Sequence, residues 1–203
     1  MTELPVVLGD GPAPAIAGER SCGACAACCH ALAVDGLTPR KPAFQVCPSL
    51  RSATIARGRC GVYDSRPGEC ASYRCLWLQG IIGETRDRPD RSGVVMDVPA
   101  DLVDHPVWRG IPVLMARIVR SSALREKRTA ALITAVARKN VVVLVQPAHD
   151  TADGTGVERI IGPTELMDLV RERVSTQSGV RVERVGQELR VARQEGTDGA
   201  SPH

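Results

Sequence analysis

Residues 111–145, IPVLMARIVRSSALREKRTAALITAVARKNVVVLV, place two apolar runs of strand length on either side of a helical pattern. Ile111–Val119 and Val141–Val145 are rich in β-branched residues, which favour extended backbone. Between them, Ser122–Lys139 carries a stripe of Leu132, Ile133 and Val136, with Ser122 placed to cap its start and Arg138 and Lys139 suited to its end. The segment therefore reads as a helical crossover between two strands of a sheet.

Working outward, Val94–Val98 and Val157–Ile161 add two more strands, so the count is about four. Gly162-Pro163-Thr164 opens a second helix that runs to about Ser175, with Leu166, Val170 and Val174 on the face that covers the sheet. Val180–Val191 reads either as a terminal hairpin or as a frayed extension. The expected class is α+β: an irregular cysteine-rich module packed on a small mixed sheet with two helices. Residues 1–20, rich in Pro, Gly and Ala, read as a flexible arm, and residues 194–203 as a disordered tail. The module spans residues 21–80, and the sheet-and-helix part spans 81–193.

The 203 residues carry 26 Lys plus Arg against 23 Asp plus Glu, a net charge of +3 that points to no polyanionic partner. Only Lys41, Lys127 and Lys139 are lysines; the arginines are spread along the chain, a pattern of base composition to which no function attaches. Met1–Glu19 has neither a basic start nor a continuous apolar stretch, so it does not read as a secretory signal. Thr129–Pro147 is interrupted by Arg138, Lys139 and Asn140 and cannot span a bilayer. The expected location is the cytoplasm, with no membrane partner. There thiols stay reduced, and clustered cysteines point to metal or catalysis rather than to disulfides.

All eight cysteines fall between Cys22 and Cys75, where an even spread would put about two, and residues 76–203 contain none. Cys22, Cys25, Cys28 and Cys29 form a C-x-x-C-x-x-C-C run, followed by Cys47, Cys60, Cys70 and Cys75. A C-x-x-C pair can turn two sulfurs to one point, and Gly23 and the neighbouring alanines allow the tight backbone this needs. The module around them has many Gly and Pro punctuators and few signs of regular structure, which suits a segment ordered by a metal. Eight sulfurs allow one four-ligand site with spare thiols or two full sites, and adjacent Cys28 and Cys29 can serve different centres. His30 follows directly and reads as a surface residue or, less often, a ligand.

Cys22–Cys29, Cys47-Pro48, Cys60-Gly61-Val62-Tyr63, Arg66-Pro67-Gly68-Glu69-Cys70 and Tyr73-Arg74-Cys75-Leu76-Trp77-Leu78 together resemble the YkgJ-like bacterial cysteine-cluster family of zinc- or iron-chelating proteins. The likeness covers residues 22 to about 97. It implies metal chelation by Cys22, Cys25, Cys28, Cys29, Cys47, Cys60 and Cys70, with Cys75 departing from the common pattern, and it implies no particular reaction. Arg66-Pro67 then reads as a turn and Tyr63 as one wall of the site.

Zinc is the expected metal, because an all-thiolate shell offers no open position and no His or carboxylate cluster accompanies the cysteines. Iron or an iron–sulfur cluster, in an enzyme or an electron carrier, is the second reading. No G-x-G-x-x-G loop follows a strand, and the C-x-x-x-C-x-x-C spacing of radical enzymes fails at Leu32. A zinc-dependent nucleic-acid or protein interaction module ranks third, since Phe44, Tyr63, Tyr73 and Trp77 are few platforms for bases; no protein partner is identifiable. Trp77 and Trp108 read as core packing between module and sheet, residues 87–90 (DRPD) as a solvated loop, and Asp101, Asp104 and His105 as a turn rather than a metal site.

Overall fold

The structure, a computed structural model, describes residues 20–52, 54–56, 58–99, 102, 104–147, 158–177 and 180–193. The tail expected at 194–203, and the arm apart from Arg20, lie outside the described residues. In chain order the elements are α1 (Ala27–Ala31), α2 (Gly68–Ser72), α3 (Pro89–Ser92), β1 (Val94–Asp97), β2 (Val113–Ile118), α4 (Lys127–Ala137), β3 (Val142–Gln146), β4 (Glu158–Ile161), α5 (Thr164–Ser175), β5 (Val180–Val185) and β6 (Glu188–Arg193).

The class is α+β with a mixed sheet, but four strands and two helices undercount it: the described residues hold six strands and five α-helices. The two further strands are the hairpin β5–β6, closed by a two-residue turn at Gly186, where φ is +63°. The three further helices are α1, α2 and α3, none longer than five residues. Helices that short display no apolar period, so only end signals could reveal them. The third has such signals: Pro89 at its first position and Gly93 in the left-handed conformation just past its end.

Strand order is β1-β2-β3-β4-β6-β5. The α4 crossover makes β2 and β3 parallel, with Val113 opposite Val142 and Ala116 opposite Val145, and every other pairing is antiparallel. Ser122 precedes only a single turn at Ala123–Arg125 and its side chain caps neither that turn nor α4; α4 starts after Glu126, with no side-chain cap, and is shorter than expected at both ends. Beyond α4, Asn140 takes a positive φ of 61°, one of the few non-glycine residues able to stop a helix this way.

Both faces of β3 are covered, which is why its sequence is a continuous apolar run rather than an alternation. Val143 and Val145 join one core with Ile133, Val136 and Ala137 of α4, with Ala27, Ala31, Cys75, Leu76 and Trp77 of the module, and with Ile82 just beyond it. Val142 and Leu144 join the other with Met167, Val170 and Val174 of α5, Ile160 and Leu189. Trp77 therefore does pack between module and sheet. Trp108 does not: it lies half-buried against the second core, on the opposite face from the module.

The module is fastened to the sheet by hydrogen bonds as well as by apolar contact. Leu76 N–H donates to Met96 O at 2.8 Å beside the outer edge of β1, and Arg20 donates to the carbonyls of Trp77, Ile82 and Gly83 at 2.8–2.9 Å. The Trp77 indole N–H donates to Glu84 O at 2.8 Å, with the Arg20 guanidinium 5.1 Å from the ring centre. Tyr73 O–H donates to Asp97 Oδ2 at 2.8 Å, and Arg117 pairs with the same buried carboxylate.

The DRPD stretch is not the solvated loop expected. Asp87 is buried and accepts from Arg128 Nε of α4 at 2.6 Å and from Glu84 N–H at 2.7 Å; Asp90 accepts both arms of Arg88, at 2.6 and 2.8 Å. Charge clusters of this composition read as solvated because burial of a charge needs partners, and the partner of Asp87 lies 41 residues away.

Burial alone would raise the Asp87 carboxyl, but its bonds to Arg128 and to Glu84 N–H outweigh it and hold the group below the usual aspartate range. A depressed folded-state value means that this contribution to stability is complete above the ordinary aspartate value and is lost as pH falls through the lowered one. We expect Asp87→Asn to be less stable than the parent at neutral pH, with the gap closing as the medium is acidified, in urea unfolding followed across that range.

Candidate metal centre

All eight thiols are free, with no disulfide among them. Cys22 is exposed, Cys75 is buried in the first core, and the other six are partly buried. Four chain segments bring them together around α1.

The first is the C-x-x-C turn itself, closed by Cys25 N–H donating to Cys22 O at 2.8 Å and enabled by Gly23 at φ +51°. It leads into α1, which carries Cys28 and Cys29. The second segment holds Cys47, whose N–H donates to Cys29 O at 3.1 Å. The third holds Cys60, bridged antiparallel to Leu50, with further bonds from Arg51 N–H to Arg59 O at 2.9 Å and from Gly61 N–H to Ser49 O at 2.7 Å. The fourth contains α2 with Cys70, docked where the Glu69 carboxylate accepts from Gly36 N–H, and continues to Cys75.

The contact that allows this gathering is between small residues. A Cβ added at Gly58 would lie 2.1 Å from the Cβ of Ala26, so the Cys60 segment reaches the start of α1 only because one position has no side chain and the other has a single methyl. Ala26 N–H donates to Ile55 O at 2.9 Å at the same place.

The thiols act on one another. Cys28 donates its hydrogen to the sulfur of Cys29, which lowers the Cys29 thiol and pushes Cys28 far up. Burial opposes the lowering of Cys29, as do the neighbouring thiols of Cys47, Cys60 and Cys70. Burial raises Cys25 to about 12 and Cys75 to about 11; Cys28 adds to both, and Cys22 adds to Cys75. Cys22 is itself raised by desolvation of its sulfur and by Cys28, although the residue as a whole is exposed, and Arg74, Arg66 and Arg88 pull it back.

Two further groups belong to this environment. Lys41 is only 2% exposed; its ammonium donates to Leu32 O and to Pro42 O, and its backbone pairs both ways with Val34 at 2.9 and 3.0 Å. Burial lowers it, while the thiols of Cys47, Cys29, Cys28 and Cys70 act to keep it charged. His30 holds a buried Nε2 without a hydrogen-bond partner, and burial together with Lys41 keeps its ring from charging.

Other expected positions lie elsewhere. Tyr63 is 61% exposed, with Arg66 stacked 4.0 Å over its ring, so it does not form a wall of the site; Arg66-Pro67 is not the turn expected but an extended entry to α2, as proline's fixed φ allows. Asp101 lies outside the described residues. Asp104 is exposed and His105 Nδ1 accepts from Val107 N–H at 3.3 Å, which makes that stretch a turn.

Lys41, Gly58 and the Arg88–Asp90 pair beside Cys25 belong to this environment without any motif in the sequence to mark them. Lys41 carried one faint signal, being among three lysines in an arginine-rich chain and the only one inside the cysteine module. Gly58 carried none, since its role is set by a residue 32 positions earlier.

The donor chemistry suits a thiophilic ion: free thiols, an adjacent imidazole with an unpartnered buried nitrogen, and nearby cations to balance thiolate charge. The side chains do not close on a point, however; among the described residues no three Cys, His, Asp or Glu side chains stand in position to hold one ion.

Gly58→Ala should force the Cys60 segment away from α1, with a cost of about 1–3 kcal/mol in urea unfolding and faster reaction of the thiols with a neutral alkylating reagent. Gly68→Ala is the control: nothing lies within 4 Å of the added methyl at the start of α2, so stability should hold or rise slightly. No protein-family model matches the chain, and comparisons with curated proteins and with solved structures find no match, so none of them identifies the cysteine-cluster family.

Proposed function

We propose that this protein binds metal through its cysteine module, with no reaction assigned to it, with zinc as the metal and the cytoplasm as its compartment. The observation that carries this reading is the convergence of four loop segments on α1, each contributing free thiols. Few backbone ladders hold these segments, and the module's own contribution to the core is concentrated in Ala27, Ala31, Cys75, Leu76 and Trp77. A segment that is poor in regular structure and dense in thiols gains order when a cation draws the sulfurs together, and the thiols must lose their protons for this to happen.

The raised state of Cys25 and Cys75 fits this coupling: burial disfavours their thiolates until a positive ion is present. A shell made wholly of thiolates favours zinc or an iron–sulfur centre over harder ions. Among the described residues no helix is long and apolar enough to cross a membrane, so the reading needs no membrane partner.

Anaerobic purification without a metal-binding tag, followed by metal analysis, a visible spectrum and thiol titration, tests the proposal. The expected result is colourless protein with stoichiometric zinc and thiols that become reactive only after chelation. Brown protein containing iron and sulfide would replace zinc by a cluster; metal-free protein with eight titratable thiols and an unchanged circular dichroism spectrum would overturn metal binding altogether.

A further inference from the structure

We infer that β5, the free edge of the sheet, is a docking surface for a second copy of this chain: two β5 strands pair antiparallel about a twofold axis at Val182 and join two six-stranded sheets into one.

The two edges of the sheet differ. At β1 the module closes the edge, with Leu76 N–H donating to Met96 O at 2.8 Å. At β5 the strand pairs with β6 on one side, and among the described residues no backbone group bonds to its other side. Val180–Val185 runs for six residues in unbroken register with β6. It has no proline and no bulge to keep a new strand away, and its charges alternate in sign instead of repelling.

Backbone geometry limits the register. Val185 and Glu188 flank the two-residue turn opposite each other, so their N–H and C=O groups point between the two strands. Every second residue does the same, and Val180, Val182 and Arg184 therefore turn theirs outward. With Val182 opposite its own copy, Val180 meets the partner's Arg184 and Arg184 meets the partner's Val180, giving about six hydrogen bonds.

Charge then selects this register. Arg181 comes to lie opposite the partner's Glu183, and Glu183 opposite the partner's Arg181, at the non-hydrogen-bonded positions where side chains are closest. A slip of two residues, the smallest that keeps donors facing acceptors, sets Glu183 against Glu183 or Arg181 against Arg181. Both residues are exposed, on the face of the sheet away from α5, since Val182 between them packs into the core that α5 covers. Among the described residues neither makes an ion pair within its own chain, and Arg181 faces only Ala192 on β6. On the α5 face, Arg184 is already paired with Asp168, so the joint takes in no lone charge there. A strand spacing of about 4.8 Å sets the two β1 edges about 50 Å apart, so the cysteine modules take no part and the pairing stands apart from metal binding.

The strand joint alone is smaller than a standard interface, so the expected species is a reversible dimer, seen by analytical ultracentrifugation in a series reaching about 0.5 mM. The amides of Val180, Val182 and Arg184 should exchange hydrogen more slowly as the dimer forms. Arg181→Glu, and separately Glu183→Arg, place like charges across the joint and should each raise the dissociation constant about tenfold, because two pairs change sign. Mixed one to one, the two variants become complementary again and should form a heterodimer tighter than either homodimer, a recovery that damage to the fold does not produce. The wild-type dimer should also persist in chelator. Monomeric wild type throughout the series, a dimer indifferent to Arg181→Glu, or a mixture no tighter than its components would overturn the pairing. Loss of the dimer on chelation with the sheet intact would move the contact to the module and overturn it as well. Monomeric protein whose β5 amides become protected only on adding an unrelated extended peptide would overturn the second copy as occupant.

Discussion

The burial of Ala27 and Ala31 against the first face of the sheet is the constraint on which the cysteine module depends. These two methyl groups set which face of α1 meets the core, and with it the directions in which Cys28 and Cys29 leave the helix. The cost of turning the helix would be exposure of that face together with separation of Leu76 and Trp77 from the sheet, where each fully buried large side chain contributes about 1.5–3 kcal/mol. The loops bearing Cys47, Cys60 and Cys70 then assemble on a support that is already rigid. Close approach at Gly58 and Ala26 completes the arrangement, because van der Waals repulsion would exclude any larger pair at that distance.

Around this apolar contact the protein buries more charge than its modest net charge suggests. Asp87, Asp90 and Asp97 each bind an arginine, and two of the three pairs cross between separate parts of the chain, Asp87 with Arg128 and Asp97 with Arg117. Such pairs are weak contributors to net stability, since desolvation opposes their attraction, but they are selective. All three pairs lie within the sheet-and-helix part and specify how its own segments meet. Apolar packing holds the module to the sheet, and Tyr73 gives that docking a polar reference by bonding to the carboxylate that Arg117 already holds.

Much of the sheet was legible because its signals are local. The runs at 94–98, 111–119, 141–145 and 157–161 became β1 to β4 within a few residues, and the 122–139 stripe became the crossover helix. The hairpin at 180–193 was only half legible, as its alternation of Val with Arg and Glu suits a strand with one wet face and equally a solvated extension. The short helices were hidden by their length. The fate of Trp108 was hidden for another reason: an aromatic residue announces that it will be buried, but not against which face.

For the site, sequence alone determined the donor set, its confinement to one segment and that segment's lack of independent structure, all of which follow from residue type and spacing. Tertiary structure decided what spacing cannot express. The neighbours of Cys29 lie 18, 31 and 41 residues away, and they meet it because Gly58 fits against Ala26, the Cys60 segment bridges to Leu50, and α2 docks on Gly36. Lys41 became part of the thiol environment in the same way, through bonds to Leu32 and Val34 that bend its loop inward. Local sequence sets which groups can bind, since that is a property of the atoms present; which groups share a site depends on contacts between distant segments, whose free energy exists only once the chain is folded.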